Sequence, residues 1–350
     1  MLKWFDEKGD YDDVVIATRI RLSRNLTKYP FSVRMSEEDA EALVNEVTRV
    51  GKKSNIFSGK VLACKLTDMN EMNRIALVER NMITPFMVNR KQSAGLLMNE
   101  SESANIMINA DDHIRVQTLS AGMKLSDTYK RADAIDDALS EKLDIAFDEK
   151  YGYLTTCPTN AGTGLRASCL LFLPALSAAE KISTLVSEIS RYGVTLKELY
   201  GNSQESKSGL FQVTNQKTLG CSEQEIIDNL NTIVLQIIKQ ERIRREYVIT
   251  RNYYAMEDRI YRSYGILKYT KQIDCKDAIM FLSQIMFGVK TGIIKLKEEE
   301  NIYKMIMNVQ PHILQATYGK SVGTVARERL RAEYLNKNLP ELMIGGETKK

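Results

Sequence analysis

The sequence predicts an α+β fold, an antiparallel sheet flanked by helices, followed by an all-helical C-terminal domain. Short β-branched runs bounded by turn residues dominate the first two thirds of the chain. A polar turn joins two of these runs as a hairpin, and helical periodicity takes over from Ser222. With 350 residues, 43% apolar and 27% charged, the chain suits a globular protein of two domains.

In chain order, Val14–Arg21 is β-branched and compact, and reads as a strand. Ser36-Glu37-Glu38-Asp39 opens an amphipathic helix with a capping-box-like start, carrying Ala40, Leu43, Val44 and Val47 at helical spacing. Gly59–Leu66 and Gly95–Met98 read as strands. Ile106–Asn109, the turn Ala110-Asp111-Asp112 and His113–Leu119 form the hairpin. Asp136–Phe147 reads as a helix, and Tyr151–Thr156 and Arg166–Leu173 as strands around a shaped loop, Cys157–Gly164. Leu210–Thr214 is a further strand. Ser222 and Glu225 make a capping box, with Ile226, Ile227, Leu230, Ile233, Val234, Ile237 and Ile238 on one helical face. Helices with breaks near Gly265, Gly292 and Gly319 complete the chain. These features predict a catalytic domain over residues 14–247 and a helical domain over 258–350, with the boundary between Tyr247 and Asp258.

Several function classes are excluded at this level. No run approaches the roughly 18 apolar residues of a membrane span, and the first ten residues lack the apolar centre of a secretory signal, which predicts a cytoplasmic chain without membrane contact. Five scattered cysteines without a C-x-x-C pair read as reduced thiols, and two histidines argue against a metal centre. A net charge of +4 does not imply nucleic-acid binding, and Lys239, Arg242, Arg244 and Arg245 read as the solvated end of a helix. P-loop and dinucleotide glycine motifs are absent.

The chemistry lies in arginines at strand spacing. Side chains alternate along a strand, so Arg19 and Arg21 share a face, as do His113, Arg115 and Gln117, and Arg166, Ser168 and Leu170. Singly, each arginine reads as a solvated surface residue. Paired in one antiparallel sheet, they make a bed of guanidinium groups that an anion must compensate, and a triphosphate suits that bed. The carboxylates Asp111 and Asp112 at the hairpin tip would then orient a cationic acceptor or hold a metal. Cys157, before a proline, reads as a small buried hydrophobe, or as a thiolate if arginines approach it.

Four segments, Ala17–Asn25, Asn109–Arg115, Cys157–Gly164 and Arg166-Ala167-Ser168, resemble in order and spacing the signature set of the guanidino (phosphagen) kinases. Within that superfamily the chain is similar to the bacterial protein arginine kinase branch. Its first motif begins near residue 17 without the helical domain that precedes it in creatine and arginine kinases, and Arg327-Glu328-Arg329-Leu330-Arg331-Ala332 resembles the branch's R-D-x-x-R-A phosphoarginine motif. The resemblance implies transfer of the γ-phosphoryl group of ATP, with Mg²⁺, to arginine side chains of proteins. Arg19, Arg21, Arg115 and Arg166 would bind phosphates, alongside Thr18, Ile20, Ala167, Ser168, Cys169 and Leu170. Asp111 would stand at the catalytic glutamate position, and Cys157 would sit beside the guanidinium. Arg327, Glu328, Arg331 and Ala332 would form an allosteric phosphoarginine site.

The resemblance further implies marking of proteins for a Clp-family unfoldase and protease, and relief of a heat-shock repressor. An activator protein and a homodimer are also implied. Departures from the family pattern leave the triphosphate bed nearly whole and alter the acceptor side. Asp111 is one methylene shorter than glutamate, Lys197 and Asn202 replace an arginine and a glutamate of the R-G-x-x-G-E loop, Glu205 is the carboxylate that could substitute, and Asn81 replaces a nucleotide-contacting histidine. These departures keep open an alternative, a catalytically weakened adaptor or regulator that binds ATP or phosphoarginine.

Overall fold

A computed structural model describes residues 3–53, 56–57, 59–200, 208–298 and 301–343. Strand β1 (Val15–Arg24) is followed by helix α1 (Glu37–Lys53), β2 (Val61–Lys65), α2 (Glu71–Glu79) and α3 (Pro85–Val88). Next come β3 (Gly95–Asn99), β4 (Ala104–Ile108), β5 (Ile114–Ala121), α4 (Leu125–Ser140), and the two-residue strands β6 (Phe147–Asp148) and β7 (Gly152–Tyr153). The chain continues through β8 (Leu165–Phe172), α5 (Pro174–Ala178), α6 (Ile182–Ser190), β9 (Val194–Glu198) and β10 (Leu210–Asn215). Helices α7 (Glu223–Tyr269), α8 (Cys275–Thr291), α9 (Ile302–Asn308), α10 (Pro311–Tyr318) and α11 (Thr324–Asn338) complete it. Among the described residues, eight strands form one sheet in the order β2-β3-β4-β5-β1-β8-β10-β9. The helices flank an antiparallel sheet, as expected.

The chain divides into two compact units. One comprises Met1–Leu171, Ser183–Lys197 and Gln212–Ile237; the other comprises Phe172–Ile182, Glu198–Phe211 and Ile238–Lys350. In the first unit, Ile20, Leu22, Val116, Leu165 and Ala167 project from one face of β1, β5 and β8 and are fully buried. The two capping boxes read from sequence form. Ser36 Oγ accepts from Asp39 N at 3.1 Å, and Ser222 N donates to Glu225 Oε2 at 2.8 Å. In the second unit, α8 is capped by Asp274, whose side chain accepts from Asp277 N, and ends at Gly292 with φ 75°, a left-handed turn that glycine adopts without strain.

Four expectations need correction. The helix placed at Asp136–Phe147 runs Leu125–Ser140, because Leu125, Thr128, Ala132, Ile135 and Leu139 make its buried face. Tyr151–Thr156 pairs only at β7, where a two-residue hairpin with β6 replaces a full strand. Helix α7 continues through Gly265, where a break was expected, and is kinked at the non-helical Asn252 (φ −133°, ψ 32°), between Tyr247 and Asp258. Arg245 is not a solvated helix end. It is buried, with Nε 2.8 Å from Glu241 Oε1 and Nη2 2.8 Å from Phe172 O. Glu241 in turn accepts from Ala175 N and Leu176 N at 3.1 and 2.9 Å, closing the start of α5. Burial raises the Glu241 pKa, opposed by Arg245 and these backbone donors.

Candidate active site

The strand order β5-β1-β8 places the arginine-bearing strands side by side. Directly paired residues of antiparallel strands project to the same face. Arg21 pairs with Gln117 on β5 and with Arg166 on β8; Ser23 pairs with Arg115, and Arg19 with Ser168. Arg19, Arg21, Arg115 and Arg166 therefore converge on one face of three adjacent strands. Burial depresses the Arg21 pKa well below the ordinary arginine value, reinforced by the cations of Arg19, Arg115 and Arg166 and opposed by Asp111. The Arg21 Nε is buried with no hydrogen-bond partner. A desolvated, mutually repelling cation cluster is stabilised by a polyanion, and a planar guanidinium matches phosphate oxygens two at a time.

The same alternation sends Thr18, Ile20, Ala167 and Cys169 to the opposite face, where all four side chains are fully buried. Thr18 Oγ1 donates to Gly122 O at 2.7 Å. These four were expected to line the nucleotide site, and their side chains cannot do so from that face. Ser168 stays on the arginine face, with Oγ 3.4 Å from Arg19 O, and Leu170 is half-buried. Asn81 joins the bed: its Oδ1 accepts from Arg19 Nη1 at 3.2 Å and its carbonyl from Gln117 Nε2 at 2.8 Å. Lys197 lies exposed on β9. Asn202 and Glu205 lie outside the described residues.

The hairpin tip presents one carboxylate and fastens its neighbours. Asn109, at φ 58°, donates Nδ2 to Ser93 O at 2.7 Å. Arg90 Nη2 donates to Asn109 Oδ1 at 2.7 Å and to Ser32 O at 3.0 Å, while Nη1 reaches Ala110 O at 3.3 Å. Asp112 is fully buried, and its Oδ1 accepts from Asn25 Nδ2 at 2.9 Å and from Thr156 N at 2.7 Å. His113 Nδ1 accepts from Leu26 N at 3.0 Å, so its Nε2, 2.9 Å from Pro30 O, carries the proton. Burial lowers the His113 pKa, with the Pro30 carbonyl and Asp112 opposing. Asp111 alone stays accessible, its side chain 37% exposed, with Oδ2 2.8 Å from Arg115 Nη2.

The shaped loop reaches the same region from β8. Arg166 Nε donates to Asn160 Oδ1 at 2.9 Å, and Nη2 to Thr159 O at 3.1 Å, fixing the turn that carries Cys157. Burial lowers the Arg166 pKa, and the Cys157 sulfur, close enough to interact with it, opposes that shift. Cys157 is exposed, 3.1 Å from Thr159 Oγ1, which corrects its reading as a buried hydrophobe. The loop requires two of its glycines. A Cβ at Gly162 would lie 2.2 Å from Thr218 O, and one at Gly164 would lie 2.5 Å from Arg24 Nη1. That Arg24 forms a buried pair with Asp136 at 2.7 Å and donates to Thr163 O at 3.1 Å. Breaking a pair of this kind costs about 3–5 kcal/mol, so the pair anchors the loop against α4.

Sequence reasoning missed Arg90, Asn25 and Asp136. Each acts on a backbone carbonyl or a partner far along the chain, and no short-range signal marks them. In the helical unit, Arg331 is 2% exposed; its Nε donates to Val309 O at 2.9 Å and its Nη1 to Ile273 O at 3.0 Å. Ala332 is buried, and Glu328 Oε2 accepts from Gln272 Nε2 at 2.8 Å. Arg327 is half-buried, with Nη2 3.4 Å from Thr324 Oγ1. Two of these four candidate phosphoarginine residues thus belong to the packing of α11.

An arginine bed beside a single offered carboxylate defines a phosphotransferase acting on a cationic acceptor. The profile of the ATP:guanido phosphotransferase C-terminal catalytic domain matches residues 42–244, and that of the protein-arginine kinase McsB C-terminal domain matches residues 253–349. The chain is 37% identical over 337 residues to a protein-arginine kinase of Brevibacillus brevis, covering 96% of this chain and 94% of that one. It is 36% identical to that of Bacillus subtilis, covering 98% and 94%. Among solved structures, a duplicated taurocyamine kinase from Schistosoma mansoni, bound to transition-state-analogue components, superposes with TM-score 0.61 at 26% identity. That match covers 68% of this chain and 34% of that one. A lombricine kinase at 22% identity and TM-score 0.58 shares the fold. The chain is an ATP:guanido phosphotransferase by fold and profile. Within that class, it belongs to the protein-arginine kinase family.

Proposed function

We propose that the arginine face binds the triphosphate of Mg–ATP and that Asp111 serves as the base toward a protein arginine. The single observation that carries this reading is the convergence of Arg19, Arg21, Arg115 and Arg166 on one face, with Asp111 ion-paired to the edge of that cluster. In the reaction, the bond from the γ-phosphorus to the bridging oxygen of ADP breaks, and a bond to a guanidinium nitrogen forms. The proton displaced from that nitrogen goes to the Asp111 carboxylate. A guanidinium is protonated at neutral pH and offers no free lone pair, so a fixed carboxylate must align it and take the proton as the new bond forms. Positioning and charge neutralisation supply the rest of the catalysis.

Among the described residues, no group of three or more His, Cys, Asp or Glu side chains could hold a metal ion. Mg²⁺ carried on the phosphate oxygens and water would neutralise charge on the transferring group. Cys157, exposed beside Arg166, would sit beside the acceptor guanidinium. Ser168 and Asn81 support the bed, and the resemblance to the R-G-x-x-G-E motif would give Lys197 a phosphate contact and Asn202 or Glu205 a role toward the acceptor.

We further propose, from the motif resemblance alone, that the mark labels proteins for a Clp-type protease and acts in the heat-shock response, in the cytoplasm. An activator protein, a heat-shock repressor and a second copy of the chain would be its partners. Arg327 and Glu328 would present the phosphoarginine contact, with Arg331 and Ala332 supporting them from the core. The Asp111–Arg115 ion pair favours a second reading, a slow adaptor that binds nucleotide, because that pair must open before the base can act.

Incubation with γ-labelled ATP and an arginine-rich protein separates the two readings. The kinase reading predicts acid-labile label on the protein, absent with Cys157→Ala and retained when free arginine is added as competitor. ATP binding without label above that control would favour the adaptor.

A further inference from the structure

The outer rim of the Asp111 hairpin is apolar. Phe31, Val33 and Phe86 are 42%, 73% and 47% exposed, although their neighbours Ser32, Met87 and Arg90 are buried. They come from two separate segments, and Arg90 ties both to the catalytic turn. Its Nη2 holds Ser32 O, between Phe31 and Val33, at 3.0 Å; its guanidinium carbon lies 5.1 Å from the Phe86 ring centre; its Nη1 holds Ala110 O at 3.3 Å. Phe31 also lies against the His113 ring, centroid to centroid 6.5 Å. One buried cation therefore joins three exposed apolar side chains to the residue immediately before Asp111.

Scattered exposed hydrophobic residues are ordinary, but apolar side chains gathered beside a catalytic group mark a contact surface. The acceptor suggests what it contacts. A guanidinium delivered to Asp111 sits at the end of an arginine side chain that is still part of a protein. The backbone of that protein must therefore pass within one side chain's length of the hairpin tip. Residues flanking the target arginine land on whatever surrounds the tip, and here that surface is Phe31, Val33 and Phe86. We infer that this rim is a specificity surface that receives an apolar or aromatic residue flanking the target arginine of the protein substrate. The inference rests on the assignment of Asp111 as the base. A small free guanidine would leave the rim uncovered.

The test uses the full chain and two peptide sets differing only beside the arginine, one with leucine or phenylalanine, the other with serine or glycine. The arginine-rich protein serves as positive control. The wild type should favour the apolar-flanked peptides about tenfold in kcat/KM, the scale of one well-placed apolar contact. Phe31→Ser with Phe86→Ser, both at exposed positions, should erase that preference while leaving the KM for ATP unchanged. Equal rates on both peptide sets in the wild type, with the positive control labelled, overturn the rim and leave the kinase intact. A preference that persists in the double variant overturns these residues as its source. Absence of label on the positive control as well would instead sink the kinase reading on which the rim depends.

Discussion

Asp111→Asn should lower turnover by about 10²–10⁴-fold, the usual range for loss of a general base, while nucleotide affinity stays unchanged. The reason lies in how the turn spends its other groups. Asn109 is fastened to Ser93 and Arg90, Asp112 to Asn25 and Thr156, and His113 to Leu26 and Pro30. None of them can reach out to a substrate without dismantling the hairpin. Asparagine preserves the size of Asp111 and can still accept from Arg115 through Oδ1, so the fold and the bed remain. Proton acceptance is what it loses. Initial rates on an arginine-rich protein, paired with an equilibrium nucleotide titration, check the result. A variant that keeps wild-type turnover would remove Asp111 from the chemistry, and weakened ATP binding would reassign it to the bed.

Arg21→Met should act in opposite directions on function and stability. Turnover should fall by about 10²–10³-fold through loss of a preorganised cation facing the transferring phosphate, and nucleotide affinity should fall with it. In the absence of nucleotide the variant should melt at a higher temperature than the wild type. Arg21 is desolvated, its buried Nε has no partner, and Arg19, Arg115 and Arg166 repel it. Methionine removes that repulsion and keeps the side chain's packing. Thermal melts with and without ATP separate these effects: the wild type gains strongly from nucleotide, and the variant gains little. A variant that melts lower without ATP would mean that Arg21 holds the sheet together. One that keeps ATP affinity would take it out of the phosphate site.

The arginine face was legible because it follows from backbone geometry. A period of two places Arg19 with Arg21, and Arg115 with Gln117, whatever else the chain does. The register that brings Ser23 opposite Arg115 and Arg21 opposite Arg166 was not legible, since it depends on pairing between segments about 90 to 150 residues apart. The capping boxes at Ser36 and Ser222 were visible because both partners lie within four residues. Helix α4 was placed about two to three turns late, since its first buried turn includes Thr128, which reads as polar. Thr128 Oγ1 in fact bonds Ser120 Oγ at 2.6 Å, and its carbonyl accepts from Thr118 Oγ1 at 2.8 Å, across to β5. Strand β9 was missed because its outer half is Lys197 and Glu198, a polar run on an edge strand. Arg90 gave no signal at all: two of its partners are backbone carbonyls, which every residue type has, and the third, the Asn109 side chain, lies 19 residues along the chain.

The most direct test is a crystal structure of the chain with Mg²⁺ and a non-hydrolysable ATP analogue. The account predicts phosphate oxygens within hydrogen-bonding distance of the Arg19, Arg21, Arg115 and Arg166 guanidinium groups, with the γ-phosphate on the side nearest Asp111. A triphosphate bound elsewhere, with those four arginines still facing one another around solvent, would contradict it.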